Sequence, residues 1–208
     1  MAQPANTISS LAFVVVGLAI AVLALRGRGW RSRSMVFAGC LVATGLGSVA
    51  YHGPQPSGAE LMHDLSIVFV LALIALHDLS LLLPRFRWVL PGLAVFAIAV
   101  TGAAVFAPVL APLAADVLVL TVIVMEVLVY RRGLHPQSKR EKQRLLLVIA
   151  LLVAGGLFIS GRTDGPSCYP MSVLQPHAGW HVTAALVFGI WWWLALAASP
   201  PQTSADEP

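Results

Sequence analysis

The sequence predicts an all-α integral membrane protein: a bundle of seven transmembrane helices with the N-terminus outside and the C-terminus cytoplasmic. Three observations carry that expectation. Only 11% of the 208 residues are charged while 58% are hydrophobic, and the mean hydropathy is +0.84; a soluble domain carries about 25% charged residues. Charge is absent from residues 1–25, 88–115, 145–161 and 165–205, and a bilayer core of about 30 Å takes about 20 apolar residues per helix. The basic residues, finally, gather in alternate connections, as the positive-inside rule requires of cytoplasmic loops.

The spans follow in order from hydropathy and from chain-breaking residues. The first, 7–25, has no Lys or Arg before it and Arg26, Arg28, Arg31 and Arg33 after it. A secretory signal has the reverse arrangement, so this segment is expected to be retained as a helix. The second, 34–52, ends at a Pro/Gly-rich connection, 53–59, and the third, 61–83, is followed by Arg85 and Arg87. A tight uncharged turn from Pro108 to Pro112 joins the fourth, 88–107, to the fifth, 110–130. A strongly basic stretch, 131–144, leads to the sixth, 143–161, and a polar one, 162–176, to the seventh, 177–197. The first, third and fifth connections hold 12 of the 13 Lys and Arg, and the opposite side holds only Arg162. Residues 1–198 are read as one seven-span domain and the Pro/Ser/acidic tail, 199–208, as a disordered cytoplasmic segment. In this setting the net charge of +4 marks cytoplasmic loops, and no nucleic-acid partner is expected. Two cysteines, Cys40 in an apolar run and Cys168 in a polar loop, give no disulfide framework, and no internal repeat suggests a two-half transporter.

Ionisable residues within spans are costly and by default point to function. Here three groups meet at one face. The second span ends in Ser48-x3-His52, the third begins with His63-Asp64, and the seventh begins with His177-x3-His181. The second span reaches its outer end at His52, while the third and seventh start from outside. Residues spaced i,i+4 share a helix face, and two imidazoles one turn apart can chelate one ion. His52, His177 and His181 would supply three neutral nitrogens with a fourth position open to water, the ligand set of a catalytic zinc site. Asp64 is then the candidate general base, since the chain has no HExxH. Plainer readings stand beside these. Helix-start histidines serve as interfacial residues, Ser48 can bond back to its own helix, and Asp64 can cap the third span or pair with His63. Their coincidence on three helices at one face favours the site.

Other polar residues read differently. His77 and Asp78 lie roughly 20 Å further along the third span and belong to the inner end. Glu126 is expected to snorkel or pair at the cytoplasmic interface, and His135 lies in a polar loop. Asp116 either orients a histidine or meets a neighbouring hydroxyl. His63, about 100° round the helix from Asp64, is expected at the lipid headgroups and held as a reserve ligand. Trp191 to Trp193 are read as packing or lipid-contact residues.

Ser48-x3-His52, Asp64 and His177-x3-His181 across seven spans resemble the alkaline ceramidase family. That family lies within the wider group of seven-helix membrane hydrolases that includes the adiponectin and progestin receptors and haemolysin III-like proteins. The segment His177-Ala178-Gly179-Trp180-His181 looks like the ceramidase seventh-helix motif, and the gap of 12 residues from His52 to Asp64 also favours that branch, as does an outside N-terminus. The resemblance implies Zn2+ held by His52, His177 and His181, with Ser48 and Asp64 lining the same site. The acidic, tryptophan-containing calcium motif of the eukaryotic enzymes has no counterpart in residues 1–10, so calcium regulation is not carried over. The compact chain is similar to bacterial members, which implies a multi-pass protein of a bacterial inner membrane.

The function expected is a zinc-dependent intramembrane lipid amide hydrolase. Its substrate would be a membrane lipid, ceramide or another N-acyl lipid, and its products a fatty acid and a long-chain amine. Asp64 would act as base and acid, with zinc and Ser48 stabilising the oxyanion. Three rivals remain: a non-catalytic zinc-containing lipid-binding protein of receptor type, a membrane haem protein with histidine axial ligands, and a transporter. The haem reading leaves Ser48 and Asp64 without a role, and the transporter reading finds no polar path across the bilayer.

Overall fold

The structure is a computed structural model that describes residues 2–27, 30–134, 141–162 and 165–197, the side chains of 141–145 excepted. The described residues form eight helices and no strand: α1 (Pro4–Ser9), α2 (Leu11–Arg26), α3 (Arg31–His52), α4 (Ala59–Leu82), α5 (Val89–Phe106), α6 (Leu110–Arg131), α7 (Glu141–Gly161) and α8 (Pro176–Ala195). The first expected span is α1 and α2 together, an apolar run from Pro4 to Arg26. The other six follow their expected bounds to within a few residues. Six of the spans are long and apolar enough to cross a membrane, and the described apolar part of α7 runs from Leu146 to Gly161. The chain is an all-α membrane bundle. The tail, 199–208, and His135 lie outside the described residues.

Local chemistry sets the boundaries that matter for the site. Helix α1 starts earlier than hydropathy alone indicates, because Pro4 occupies the first turn, where its missing N–H costs nothing. The backbone N–H and the hydroxyl of Thr7 both donate to the Gln3 carbonyl, each at 2.9 Å. Helix α3 stops at His52 ahead of Gly53-Pro54, and the chain turns into α4 through Gly58, whose φ of +79° is left-handed backbone that a side chain disfavours. Pro176 opens α8 and holds Gln175 in extended backbone. That puts His177 in the first turn and His181 one turn later.

Helix α2 packs on α3 and α8, α3 on α4, α4 on α5 and α6, and α7 on α8, while α1 sits against α3 and α8. Helices α2 and α3 approach closely because Gly17 faces the Ala38 carbonyl; a Cβ there would lie 2.9 Å from that oxygen. Small residues at such crossings let membrane helices gain dispersion contact that apolar burial alone does not supply in lipid. Phe13, Phe37, Leu41, Val70, Leu73, Trp191 and Trp192 form the apolar core. Both cysteines are free.

The two ends of the bundle are fastened differently. At one end the N-terminal segment is tied to the end of α3, with Ala2 N–H donating to Gly53 O at 3.2 Å and Gln3 N–H to His52 O at 3.0 Å. At the other, Trp30 N–H donates to Leu196 O at 3.1 Å and Trp192 Nε1 to Ser34 Oγ at 2.9 Å. The arginine-flanked start of α3 thus meets the end of α8, and the histidine ends of α3 and α8 lie together at the opposite pole.

Candidate metal centre

Three histidines converge at that pole. The ring centroids of His52 and His177 lie 5.1 Å apart, those of His52 and His181 5.1 Å, and those of His177 and His181 4.7 Å. One nitrogen from each lies within 4.8 Å of the others, and all three side chains are buried, His181 with 1% exposure. The i,i+4 spacing on α8 and the meeting of helix ends therefore do what the sequence suggested: they bring three imidazoles to one point.

Hydrogen bonds set which nitrogen of two of the rings faces that point. His52 Nδ1 lies 2.7 Å from Gln3 Oε1, an acceptor, so Nδ1 carries the proton and Nε2 keeps its lone pair. His181 Nδ1 lies 3.2 Å from the Asn6 carbonyl, which can only accept, and 2.9 Å from Ser9 Oγ. The Ser9 hydroxyl itself donates to that carbonyl at 3.1 Å, so its oxygen receives the imidazole proton. His52 Nε2 and both nitrogens of His177 are buried without a hydrogen-bond partner. Buried polar atoms are rarely left this way. Three neutral imidazoles with lone pairs turned to a common centre, two of them oriented by oxygen acceptors, form a donor set that fits a divalent metal with imidazole preference.

Two further residues belong to the same pole. Ser48 is fully buried one turn before His52. Its Oγ lies 2.7 Å from Ser10 Oγ and 3.4 Å from His181 Nε2, so it bonds across the helix interface to α1–α2. The Ser10 hydroxyl donates to Asn6 O at 2.6 Å, which leaves Ser48 as the donor in the serine pair. Asp64, with 22% of its side chain exposed, pairs with His63 at 2.9 Å. The His63 ring in turn lies 5.1 Å from Tyr51 and 5.8 Å from His52. His63, expected to face outward, is turned inward: with 13% of its side chain exposed it meets Asp64 on one side and the Tyr51 and His52 rings on the other. His63 leans across onto α3 while Asp64 stays partly exposed. Phe13 packs edge-on to His181 at 5.9 Å and Phe158 stands 6.1 Å from His177, forming apolar walls.

Other residues lie elsewhere. Asp116 is exposed on α6. His77 takes a hydrogen bond from Arg33 at 2.9 Å, and Glu126 accepts one from Trp191 Nε1; both are at the inner end. Sequence reading missed Gln3, Asn6, Ser9 and Ser10. Their signal was available: polar residues at i,i+3 and i,i+4 spacing in the otherwise apolar beginning of a span, at the level where His52 ends.

A family model described as Ceramidase matches residues 1–205. No curated protein matches the chain.

Proposed function

Because the chain belongs to the ceramidase family, we propose that it is a zinc-dependent hydrolase that cleaves the amide bond of an N-acyl lipid from within the membrane. The observation that carries this reading is the cluster of three buried histidines with nitrogens within 4.8 Å of one another, flanked by a buried serine and a carboxyl group 22% exposed. His52, His177 and His181 would hold the metal. Bound there, zinc supplies Lewis acidity, lowering the pKa of water and polarising a carbonyl oxygen.

The remaining chemistry falls to the chain's own groups. Asp64 takes a proton from the attacking water, and the water oxygen forms a bond to the amide carbon. Ser48 turns its hydrogen from Ser10 to the developing oxyanion, a preorganised donor in a buried site. Asp64 then passes its proton to the departing nitrogen, the carbon–nitrogen bond breaks, and a fatty acid and a long-chain amine leave. Gln3 and Ser9 keep His52 and His181 in the tautomer that presents Nε2. The His63 imidazole, bonded to Asp64, fixes the carboxyl group at the mouth of the site.

Purified protein incubated with a panel of ceramides and other N-acyl lipids tests the reading. Release of free fatty acid that is abolished by a chelator and restored by zinc is the expected result. Bound lipid with no release across the panel, zinc being present, would leave a lipid-binding protein and overturn the hydrolase.

A further inference from the structure

The positive-inside rule accounts for arginines at the inner end of the bundle, but it does not require two separate connections to bring theirs to one cleft. Helices α3 and α5 both pack on α4. Where they start, an open cleft of about 380 Å³ is lined by Trp30, Arg31 and Arg33 at the beginning of α3 and by Arg87, Leu90 and Pro91 at the beginning of α5. That volume falls in the roughly 300–1,000 Å³ range of small-molecule sites. Arg85, two residues before Arg87 in the same connection, does not line it.

The three arginines are held differently. Arg33 is fixed, donating to His77 Nδ1 and to Ser80 Oγ, each at 2.9 Å, and its guanidinium lies 4.0 Å from the centre of the Trp30 ring, a cation–π arrangement. Trp30 is anchored in turn by its backbone N–H, which donates to Leu196 O at 3.1 Å. Arg31 and Arg87 are exposed. Among the described residues no carboxyl group pairs with any of the three, so the cleft concentrates positive potential. A guanidinium presents a planar fork of N–H donors that matches the oxygens of a phosphate. The other side of the cleft is apolar, formed by the Trp30 ring, Leu90 and Pro91. A free phosphate would use the arginines alone, whereas a phospholipid uses both sides.

We propose that this cleft binds an anionic phospholipid of the inner leaflet. Arg31 and Arg87 take the phosphate, Arg33 and Trp30 form a fixed wall, and Leu90 and Pro91 lie against the start of an acyl chain. Basic pockets between membrane helices on the cytoplasmic side take such headgroups. A lipid held there joins the beginning of α3 to the beginning of α5, at the opposite pole from the histidines.

Native mass spectrometry of the full chain in mild detergent tests this, with phosphatidylglycerol, phosphatidylcholine and inorganic phosphate added separately and in competition. The wild-type chain should hold phosphatidylglycerol more tightly than phosphatidylcholine, and equimolar inorganic phosphate should not displace it. Arg31→Gln and Arg87→Gln should each weaken the phosphatidylglycerol complex about fivefold, the effect of one basic side chain at an anionic surface. Arg85→Gln should leave it unchanged. All three positions are exposed, so the helix content read by circular dichroism should be that of the wild type. Equal affinity for the two lipids overturns the proposal. So does displacement by equimolar phosphate, which marks a site for a soluble anion, and so does a loss in Arg85→Gln as large as in the two cleft variants, which marks diffuse surface charge.

Discussion

The bundle has two buried polar clusters, one at each end, and they differ in how their unbonded atoms are arranged. At the inner pole hydrogen bonds join Arg33 to His77 and Ser80, and Trp191 to Glu126, while both carboxyl oxygens of Asp78 are buried with no described donor. At the outer pole His52 and His177 keep three buried nitrogens without a described hydrogen-bond partner, and one nitrogen from each of His52, His177 and His181 lies within 4.8 Å of the others. A low-dielectric interior tolerates polar groups when they satisfy one another. A cluster that satisfies all but a few converging lone pairs is arranged for an outside ligand. The lesson is that burial and polarity alone do not separate a site from a structural tie; the convergence of imidazole nitrogens on one point does.

Substitutions can break that contrast, and the largest effects should come from the atoms left open. His52→Ala, His177→Ala or His181→Ala should each remove zinc and reduce amide hydrolysis by more than the roughly 10–100-fold that loss of an orienting partner costs; metal content and fatty-acid release check both. Asp64→Asn should keep zinc and lower kcat by about 10²–10⁴-fold, the range for a lost general acid–base. Ser48→Ala should lower kcat by about 10²–10³-fold with KM little changed, as for a lost oxyanion donor. Gln3→Ala, which frees the His52 ring without touching its Nε2, should weaken zinc binding roughly 10–100-fold in a chelator competition. The smallest effect on the metal should come from the inner pole: Trp191→Phe should leave zinc content unchanged and cost about 0.5–1.5 kcal/mol of stability, the net contribution of one lost hydrogen bond, read as a lower Tm. Loss of zinc on that change would erase the distinction between the poles.

The fold was legible because its determinants are one-dimensional. Runs without charge and the alternation of basic loops fix helices and their direction, and the α3, α4 and α8 ends meet as that alternation requires. His52, His177, His181 and Ser48 were legible for the same reason, since i,i+4 spacing is a statement about one helix. What crosses between helices was not. That His63 lies against Tyr51 and His52 depends on how α4 leans on α3, which no spacing within α4 encodes. Gln3, Asn6 and Ser9 reach the histidines only because α1 folds over the ends of α3 and α8, through backbone bonds such as Gln3 N–H to His52 O. Asp116 shows the converse: its level along α6 suits the outer pole, but its direction round the helix leaves it exposed.

The central claim is that the open nitrogens of the outer pole are metal ligands. Zinc content per chain, measured on the purified wild-type protein and on His52→Ala, His177→Ala and His181→Ala beside Trp191→Phe, tests it most directly. One zinc per wild-type and Trp191→Phe chain, lost from each histidine variant that retains its helices, is the predicted result. Wild-type protein that takes up no zinc, or folded histidine variants that hold it as tightly as the wild type, would contradict it.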